Sequence, residues 1–394
     1  ASVNKSLAKF YDGRRDLFKK LEVKSRSLKN PVWIHAASLG EYEQAVPIID
    51  YLNKKQQDVV VSFFSPSGFD IKKDDKKLAA VTYLPIDTSQ NMKEFVEILN
   101  PKLAIIIKYE VWPNMLQALE NKNIPKILVS ATFSKHQLYF KWYGSLFLKA
   151  LQKFDAVFVQ NEDSFKLAQK LQLKNIHISG DTRYDRVFNQ LEQDNFIEGI
   201  SEFIDDQPCL VCGSTWREDE NFIINYINRT HQQLKVIIAP HKVNTTHIEA
   251  IENSLKVNYI KWSDGIDITS LNQVQVLIID CIGLLTKLYS YADIAYVGGA
   301  AGHTGLHNIL EPSTFGVPVL FGKNHHKFPE AKALLNAGGA VEVKHQTDFS
   351  NHLDVLISNR EKRQEIGRKA AQFVKKQTGA TTLICNYIEE QLKQ

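Results

Sequence analysis

The sequence lacks the features that define several classes of protein. Its 394 residues include only four cysteines, too few for a disulfide framework in a chain of this length, which indicates a reducing compartment. No apolar run approaches the roughly 18 residues needed to span a bilayer, and neither a signal peptide nor a low-complexity tract is evident. The net charge of only +4 argues against a general nucleic-acid-binding surface. These absences favour a globular protein, and the length favours two domains.

Metal-ligand patterns are also missing from the sequence. Cys209 and Cys212 are three residues apart on a predicted strand, which places their side chains on opposite faces, an arrangement unsuited to chelation. His325 and His326 are adjacent, and neither they nor His303 have acidic residues at ligand spacing. We therefore expect no metal site.

Positive charge is concentrated at one end of the chain. Residues 1–30 contain nine Lys or Arg against three acidic residues, a local balance of +6, whereas the rest of the chain sums to −2. Apolar residues alternate with these basic residues, as in one or two amphipathic helices. Two interpretations stay open: a solvated surface helix, or a segment that lies on an anionic membrane surface.

Short apolar runs alternate with helical patterns along the whole chain, which predicts α/β domains with parallel, doubly wound sheets. The polar stretch 189–207 predicts an interdomain linker, and residues 360–378 and 381–393 read as helices. The predicted strands are 32–37, 59–64, 80–85, 103–107, 126–130, 156–160 and 176–181 in the first half, and 209–212, 235–239, 258–260, 274–279, 294–297, 318–321 and 340–343 in the second.

Three predicted strands of the second half end in residues suited to binding a phosphate or a sugar. A Gly/Ala-rich loop at 298–302 leads into a probable helix start at 308–311, and Ser214 or Thr215 can cap a helix with acids in its first turn. A third strand ends at His241 and Lys242. Because the carboxyl ends of parallel strands share one edge, these features predict a nucleotide or nucleotide-sugar pocket. The alternative is that the Gly-rich loop only turns the chain tightly.

The first predicted strand of the first half is followed by a small-residue turn and an acid. The order Ser38, Leu39, Gly40, Glu41 places Glu41 at the mouth of a helix, beside any cleft at the strand ends. The simpler interpretation is that Glu41 only complements the helix dipole.

Taken together, the motifs resemble the 3-deoxy-D-manno-octulosonic acid (Kdo) transferases of Gram-negative lipid A assembly. Their order and spacing match from about residue 31 to 340, and the basic opening segment is also similar. The motifs are WIHAASLGE at 33–41, YEVWPN at 109–114, GST at 213–215, HNILEP at 307–312 and PVLFG at 318–322.

The resemblance implies a GT-B fold, in which two Rossmann-like domains face each other across a cleft. We expect a basic membrane-proximal segment at 1–30 and an acceptor-binding domain at 31–195. The CMP-sugar-binding domain is expected at 196–375, and a C-terminal helix at 376–394 is expected to pack back on the first domain.

The resemblance also implies the reaction. It is an inverting, metal-independent transfer of Kdo from CMP-Kdo to a hydroxyl of the acylated, phosphorylated diglucosamine precursor of lipid A, with no cofactor. The expected partners are these substrates and an anionic membrane surface, and no nucleic acid. The expected location is the cytoplasmic face of the inner membrane of a Gram-negative bacterium, either peripheral or anchored by an N-terminal segment absent from this chain.

Residue roles follow from the matched positions. The acceptor hydroxyl must lose a proton as it attacks, and Glu41 matches the family's catalytic Glu, so we expect it to be the general base. Glu311 is expected to bind the ribose hydroxyls of the cytidine. The other acceptor-side positions are Ser38, Gly40, Lys108 and Glu110, and the donor-side positions are Gly213, Ser214, Thr215, His241, Lys242, Gly298, Gly299, Gly302, His307, Asn308 and Glu311.

The sequence departs from the family pattern at several positions. No Arg stands between Pro240 and His241, so His241 and Lys242 are the candidates to meet the CMP phosphate. Lys108 stands where many relatives have an acid, and residues 130–132 lack a usual Arg, which points to a differently phosphorylated or acylated acceptor. Leu306 replaces a usual Gly.

Two other functions stay open. One is a different GT-B transferase, or an epimerase, that uses a UDP-sugar. The other is a membrane-surface binding protein that keeps the sugar-nucleotide fold without catalysis; the presence of Glu41 argues against it.

Overall fold

A computed structural model describes residues 8–265 and 271–393, so residues 1–7 of the basic opening segment lie outside the described residues. The chain divides into two compact units. The N-terminal unit extends to Arg186 and includes the chain from Gln377 onward, and the C-terminal unit is Val187–Lys376. The stretch 189–207, which the sequence suggested as a linker, lies in the C-terminal unit and carries a short helix.

Within the described ranges, each unit holds one seven-stranded parallel sheet. The predicted α/β fold with two Rossmann-like domains is therefore confirmed. The strands of the N-terminal unit are β1 (Val32–His35), β2 (Val59–Phe63), β3 (Ala80–Tyr83), β4 (Leu103–Ile107), β5 (Lys126–Ala131), β6 (Ala156–Val159) and β7 (Ile176–Ile178). Those of the C-terminal unit are β8 (Cys209–Thr215), β9 (Lys235–Pro240), β10 (Tyr259–Lys261), β11 (Val276–Ile278), β12 (Ile294–Val297), β13 (Val319–Gly322) and β14 (Ala340–Val343).

Helices connect these strands. In chain order they are α1 (Leu17–Ser25), α2 (Leu39–Lys54), α3 (Pro66–Lys72), α4 (Ser89–Leu99), α5 (Pro113–Asn121), α6 (Ser145–Leu151), α7 (Glu162–Lys170), α8 (Thr182–Asn189), α9 (Ile200–Ile204), α10 (Arg217–Ile227), α11 (Thr245–Ser254), α12 (Leu285–Leu288), α13 (Leu310–Thr314), α14 (Pro329–Asn336), α15 (Gln346–Ser358), α16 (Arg360–Lys376) and α17 (Ala380–Lys393). Among the described residues, no helix combines the length and apolar character needed to cross a membrane.

The strand order reverses once in each sheet. In the N-terminal unit the order is β3-β2-β1-β4-β5-β6-β7, and in the C-terminal unit it is β10-β11-β9-β8-β12-β13-β14. The chain therefore leaves β1 and β4 toward opposite faces of one sheet, and β8 and β12 toward opposite faces of the other. Crevices at the carboxyl ends of such strand pairs are the usual ligand sites of open α/β sheets. This reversal directs attention to the loops after β1, β4, β8 and β12.

Helices cover both faces of the N-terminal sheet, so its central strands are buried throughout. All five residues of β4, LAIII, are buried, and alternate residues of the strand join two different core clusters. Strands buried on both faces read as continuous apolar runs, which is why the sequence located them well. Helix α17 contributes Ile384, Cys385 and Ile388 to one of these clusters.

The basic opening segment is part of the N-terminal core. Leu17 and Leu21 of α1 are buried in the same cluster as Trp33. Arg14 lies over the ring of Phe10 at 3.7 Å and donates to the carbonyl oxygens of residues 10, 64 and 84 at 2.8–3.0 Å. The described part of this segment is therefore fixed to the sheet by one Arg and one apolar helix face.

Arg14→Ala should lower the free energy of unfolding by about 2–3 kcal/mol, because three part-buried carbonyls lose their donor. Urea denaturation followed by circular dichroism measures this loss. Arg15→Ala is the matched control: its side chain is 77% exposed, and its one ion pair among the described residues is with Asp12 at 3.3 Å. Equal losses in the two variants would contradict the structural role of Arg14.

Candidate active site

The candidate site of the N-terminal unit centres on Glu41, in the first turn of α2 directly after β1. Glu41 is only 8% exposed. Ser38 occupies the N-cap position of α2, and its hydroxyl donates to Oε2 of Glu41. The ammonium of Lys108, in the loop after β4, lies 3.7 Å from Oε1. The adjacency of β1 and β4 thus places a hydroxyl and a cation around one carboxylate.

Two backbone features surround this carboxylate. Lys108 has φ of 72°, in the left-handed region that a non-glycine residue enters at a cost, and its N–H donates to the carbonyl of Val129 at 2.7 Å. Gly40 lies beside Glu41 in the first turn of α2, where an added Cβ would come no closer than 3.7 Å to Oγ of Ser38. The protein itself therefore leaves open space at Gly40, although glycine weakens a helix.

Glu110 belongs to a second polar cluster at the same strand ends. His35 is fully buried, and its Nδ1 lies 2.9 Å from Oγ of Ser62, which accepts from Nε1 of Trp33 at 2.8 Å. Nε2 of His35 lies 3.9 Å from Oε2 of Glu110, the oxygen to which Nε1 of Trp112 donates at 2.9 Å. Nδ1 of His35 also lies 3.2 Å from the carbonyl oxygen of Ser62, which can only accept, so the tautomer that fits these contacts carries its proton on Nδ1.

In the C-terminal unit, the Gly-rich loop after β12 wraps around a buried carboxylate. Asp219, in the first turn of α10, is fully buried and accepts from the N–H groups of Gly299 at 2.8 Å, Ala301 at 3.3 Å and Trp216 at 3.0 Å. The hydroxyl of Tyr296 donates to it at 2.9 Å. Burial raises the pKa of Asp219, and these four hydrogen bonds oppose the rise. Two loop amides expected to face a phosphate are thus bound to a side chain.

The glycines of this loop are required by close packing. A Cβ on Gly298 would collide with the carbonyl of Ser214, and Gly299 has φ of 98°. A Cβ on Gly302 would lie 2.9 Å from the carboxyl carbon of Glu218. The loop therefore lies directly against the end of β8 and the start of α10.

The end of β8 differs from the prediction in one respect. The expectation that Ser214 or Thr215 caps the next helix is wrong: α10 begins at Arg217, and Trp216 occupies the N-cap position. Oγ1 of Thr215 donates instead to Oε1 of Glu220 at 3.0 Å, and Ser214 has φ of 53°. Gly213 precedes them on β8, where a side chain would collide with its neighbours.

Three rings contact one another next to this loop. The ring of His241 stacks on that of Trp216, with centroids 4.7 Å apart, and on that of His307, with centroids 4.5 Å apart. Nε1 of Trp216 donates to Nε2 of His307 at 3.1 Å, which requires that nitrogen to be unprotonated. In agreement, burial and then the charge of His241 lower the pKa of His307 to about 4. Lys242 is exposed and lies 4.8 Å from the Trp216 ring centroid.

Glu311 is oriented by two donors at the start of α13. Nδ2 of Asn308 donates to its Oε1 and Oγ1 of Thr286 donates to its Oε2, both at 3.1 Å. The helix starts within the predicted stretch 308–311: it begins at Leu310, and Asn308 precedes it.

Sequence reasoning assigned no role to His35, Asp219 or Trp216. Asp219 was visible only as one of three acids in a first helical turn, and nothing in its spacing distinguishes a dipole-complementing acid from a buried one. Across residues 8–265 and 271–393, no three His, Cys, Asp or Glu side chains are grouped so as to hold a metal ion.

Comparisons with known proteins agree with this geometry. Residues 12–186 match the family model described as 3-deoxy-D-manno-octulosonic-acid transferase (kdotransferase). The Kdo transferase of Aquifex aeolicus is 28% identical over 342 residues, covering 84% of this chain and 88% of that protein. The one from Haemophilus influenzae is 26% identical over 381 residues, covering 92% and 87%. A bifunctional glycosyltransferase/methyltransferase of Fusobacterium nucleatum is 26% identical over 383 residues, and the chain spans 58% of its length.

Solved structures support the fold alone. UDP-GlcNAc 2-epimerase from Neisseria meningitidis superposes with a TM-score of 0.63 at 17% identity, covering 92% of this chain and all of that one. MurG from Acinetobacter baumannii superposes with a TM-score of 0.58 at 14% identity, covering 91% and 99%.

The fold is therefore of GT-B architecture, and the Kdo transferases to which the chain is similar are glycosyltransferases. Residues 12–186 match the Kdo-transferase family model, and the resemblance drawn from the motifs is confirmed over most of the chain.

The lowered pKa of His307 predicts acid sensitivity. The unfolded chain takes up a proton on this residue near pH 6.5 and the folded chain only near pH 4, so stability is lost as pH falls between these values. After allowance for partial exposure, the loss is about 1–2 kcal/mol. Urea unfolding at pH 7 and 4.5 should show a smaller pH effect in His307→Gln than in wild type.

His303→Gln, at an exposed position, is the control and should keep the wild-type pH dependence. A pH effect in His307→Gln as large as in wild type would contradict the assignment.

Proposed function

We propose that the protein transfers Kdo from CMP-Kdo to a hydroxyl of the acylated, phosphorylated diglucosamine precursor of lipid A. The carrying observation is the environment of Glu41: a carboxylate in the first turn of α2, with Ser38 bound to one oxygen and Lys108 3.7 Å from the other. The matching family position and the Kdo-transferase relatives support the substrate assignment.

Glu41 is proposed as the general base. As the bond to CMP breaks, the acceptor hydroxyl attacks the anomeric carbon and its proton passes to Oε1 of Glu41, while Ser38 keeps Oε2 oriented. The pairing with Lys108 holds the carboxylate in place until the acceptor arrives. Attack from the face opposite the CMP group inverts the anomeric centre.

Gly40 and Glu110 are proposed to shape the acceptor side. The open space at Gly40 suits the close approach of a sugar ring to the first turn of α2. Glu110 has one oxygen held by Trp112 and faced by His35, which leaves its other oxygen for an acceptor hydroxyl or amide.

On the donor side, Glu311 is proposed to accept hydrogen bonds from the ribose hydroxyls of the cytidine, because Thr286 and Asn308 already orient both of its carboxylate oxygens. The CMP phosphate is proposed to bind Lys242 and His241 together with the backbone at Ser214. Since Asp219 occupies two amides of the Gly-rich loop, that loop is proposed to shape the pocket rather than to carry the phosphate charge. From the family resemblance we propose that the reaction needs neither a metal nor a cofactor.

The lipid acceptor also sets the proposed location. Relatives come from Gram-negative bacteria, including Haemophilus influenzae and Bordetella pertussis. We propose that the protein works at the cytoplasmic face of the inner membrane, with an anionic membrane surface as a partner and without nucleic acid.

Glu41→Gln should abolish Kdo transfer and leave CMP affinity within about twofold of wild type, because the amide keeps the shape of the side chain but cannot take a proton. Mass spectrometry of the lipid product and titration with CMP provide the two readouts. Glu97→Gln, at an exposed site on α4, is the control and should retain transfer. Unimpaired turnover in Glu41→Gln would rule out the base assignment.

The choice of nucleotide separates this proposal from a UDP-sugar enzyme. CMP should raise the melting temperature more than UDP at equal concentration, and Glu311→Gln should weaken CMP binding about tenfold by removing a charged acceptor. Glu361→Gln, at an exposed position on α16, is the matched control. A larger shift with UDP would favour the UDP-sugar alternative.

A further inference from the structure

The loop that joins β5 to α6, with the first turn of α6, exposes four large apolar side chains close together. This β5–α6 loop (residues 132–146) leaves Trp142 93%, Leu146 62%, Tyr143 59% and Leu138 42% exposed. A single exposed apolar residue is ordinary, but a contiguous apolar patch marks a contact surface.

The backbone of this loop is held in place. At its start, the N–H of Phe133 donates to Oγ of Ser164 at 3.1 Å, and Nε2 of Gln137 donates to the carbonyl of Thr132 at 3.2 Å. At its end, the N–H of Gly144 donates to the carbonyl of Lys141 at 2.9 Å. The apolar tip is thus presented on a preformed support, which reduces the ordering cost of docking.

Other residues of this region face the core. Tyr139 and Phe140 of the loop, and Leu148 in α6, pack against the buried cluster of the N-terminal unit. The rings of Trp142 and Tyr143 meet edge to face, with centroids 5.5 Å apart. The loop therefore has an inner face fixed to the sheet and an outer face that nothing in the described chain covers.

The charge around the loop has one sign. Between Glu120 and Asp155 the sequence contains six lysines and no acidic residue. Lys122, Lys126 and Lys153 form ion pairs elsewhere. Lys135, Lys141 and Lys149, which flank the apolar tip, form no ion pair with any residue of the described ranges.

Exposed aromatic and aliphatic side chains, flanked by lysines without ion pairs among the described residues, are the side chains expected to bind an anionic bilayer surface. Trp, Tyr and Leu favour the boundary between headgroups and acyl chains, and lysines favour anionic headgroups. A second copy of the chain fits less well, because a two-fold contact would bring the same three lysines against each other.

The loop also borders the acceptor-side acids. Burial and the charges of Glu110 and Tyr109 raise the pKa of Tyr139 to about 12, which places this ring in their neighbourhood. Trp112, which donates to Glu110, and Tyr139 pack against the same core cluster.

The basic opening segment reaches the same place from another direction. Phe10 contacts Phe64 with centroids 5.2 Å apart, and Phe64 contacts Trp112 at 5.0 Å. The opening segment is thus linked through Phe64 to Trp112, the residue that donates to Glu110.

We propose that the β5–α6 loop docks the N-terminal unit on an anionic bilayer. Trp142 and Leu146 enter the boundary between headgroups and acyl chains, and Lys135, Lys141 and Lys149 contact lipid phosphates. This inference rests on the proposed function, because a lipid acceptor bound near Glu110 keeps its acyl chains in the membrane that the loop contacts.

Sedimentation with vesicles tests the docking surface. Wild type should bind phosphatidylcholine vesicles that contain phosphatidylglycerol more tightly than vesicles of phosphatidylcholine alone. The double variant Trp142→Ser/Leu146→Ser should bind the anionic vesicles about tenfold or more weakly, because two apolar side chains no longer enter the interface. Lys135→Gln/Lys141→Gln/Lys149→Gln should lose the preference for anionic vesicles.

A matched control lies elsewhere on the surface. Ile282 is 89% and Ile71 62% exposed, close to the exposed fractions of Trp142 and Leu146, so Ile282→Ser/Ile71→Ser removes two comparably exposed apolar side chains. This control should bind vesicles within about twofold of wild type. Circular dichroism should show native folding in all variants. The proposal would be overturned if both double variants bound vesicles equally weakly, or if the loop variant bound them like wild type. It would also be overturned if the only effect of the loop variant were a loss of self-association in analytical ultracentrifugation.

A transfer assay separates this proposal from the proposed function. With acceptor dispersed in detergent, the loop variant should transfer Kdo at the wild-type rate, and with acceptor in anionic vesicles it should be slower. If neither wild type nor the loop variant transfers Kdo, but the loop variant still binds anionic vesicles more weakly than wild type, the proposed function is wrong and the docking surface is supported. If transfer occurs and the loop variant binds vesicles like wild type, the docking surface alone fails.

Discussion

One carboxylate, held between a hydroxyl and an ammonium group, is the interaction on which the proposed chemistry depends. Glu41 follows β1, whereas Lys108 follows β4, and they meet only because the sheet order reverses between these two strands. Every residue of β1 and β4 is buried, so the strand ends that carry the two groups are fixed by the core. The positions of these two groups are thus set by the packing of the strands that precede them.

The C-terminal unit places a carboxylate at the equivalent point. Asp219 is the third residue of α10 after β8, just as Glu41 is the third residue of α2 after β1. The two positions have diverged in use. Asp219 is fully buried and accepts four hydrogen bonds, of which the two from Gly299 and Ala301 fasten the loop after β12 to the helix, whereas one oxygen of Glu41 lies 3.7 Å from the ammonium of Lys108. Similar folding units therefore yield one structural carboxylate and one proposed general base.

Much of the fold was predictable because local patterns of apolar residues in the sequence indicate the strands. Runs such as VVVSF and LAIII are buried on both faces of the sheet. Such continuous apolar runs are typical of parallel strands and can be recognised in the sequence without any alternation of polar and apolar residues. The contacts within the site were less accessible. Neither the Glu41–Lys108 pair nor the stack of Trp216, His241 and His307 has a fixed sequence spacing, since each joins loops that meet only through the strand order.

The helix cap and the loop amides were both predicted wrongly for a related reason. A Ser-Thr pair before an acidic helix start predicts a cap, but Thr215 stays in β8 and donates to Glu220. A Gly-rich loop predicts amides free for a ligand, but which acceptor fills them depends on a side chain some 80 residues earlier. The Gly-rich composition predicts a close-packed loop, but only the tertiary structure shows which group binds its amides.

The most direct test of the central claim is mass spectrometry of a tetra-acylated lipid A precursor incubated with the protein and CMP-Kdo generated in situ. We predict that the lipid gains the mass of one or more Kdo residues and that CMP is released only when the acceptor is present. Bound CMP with no mass gain on the lipid and no acceptor-dependent release would contradict the claim that the protein is a Kdo transferase acting on this acceptor.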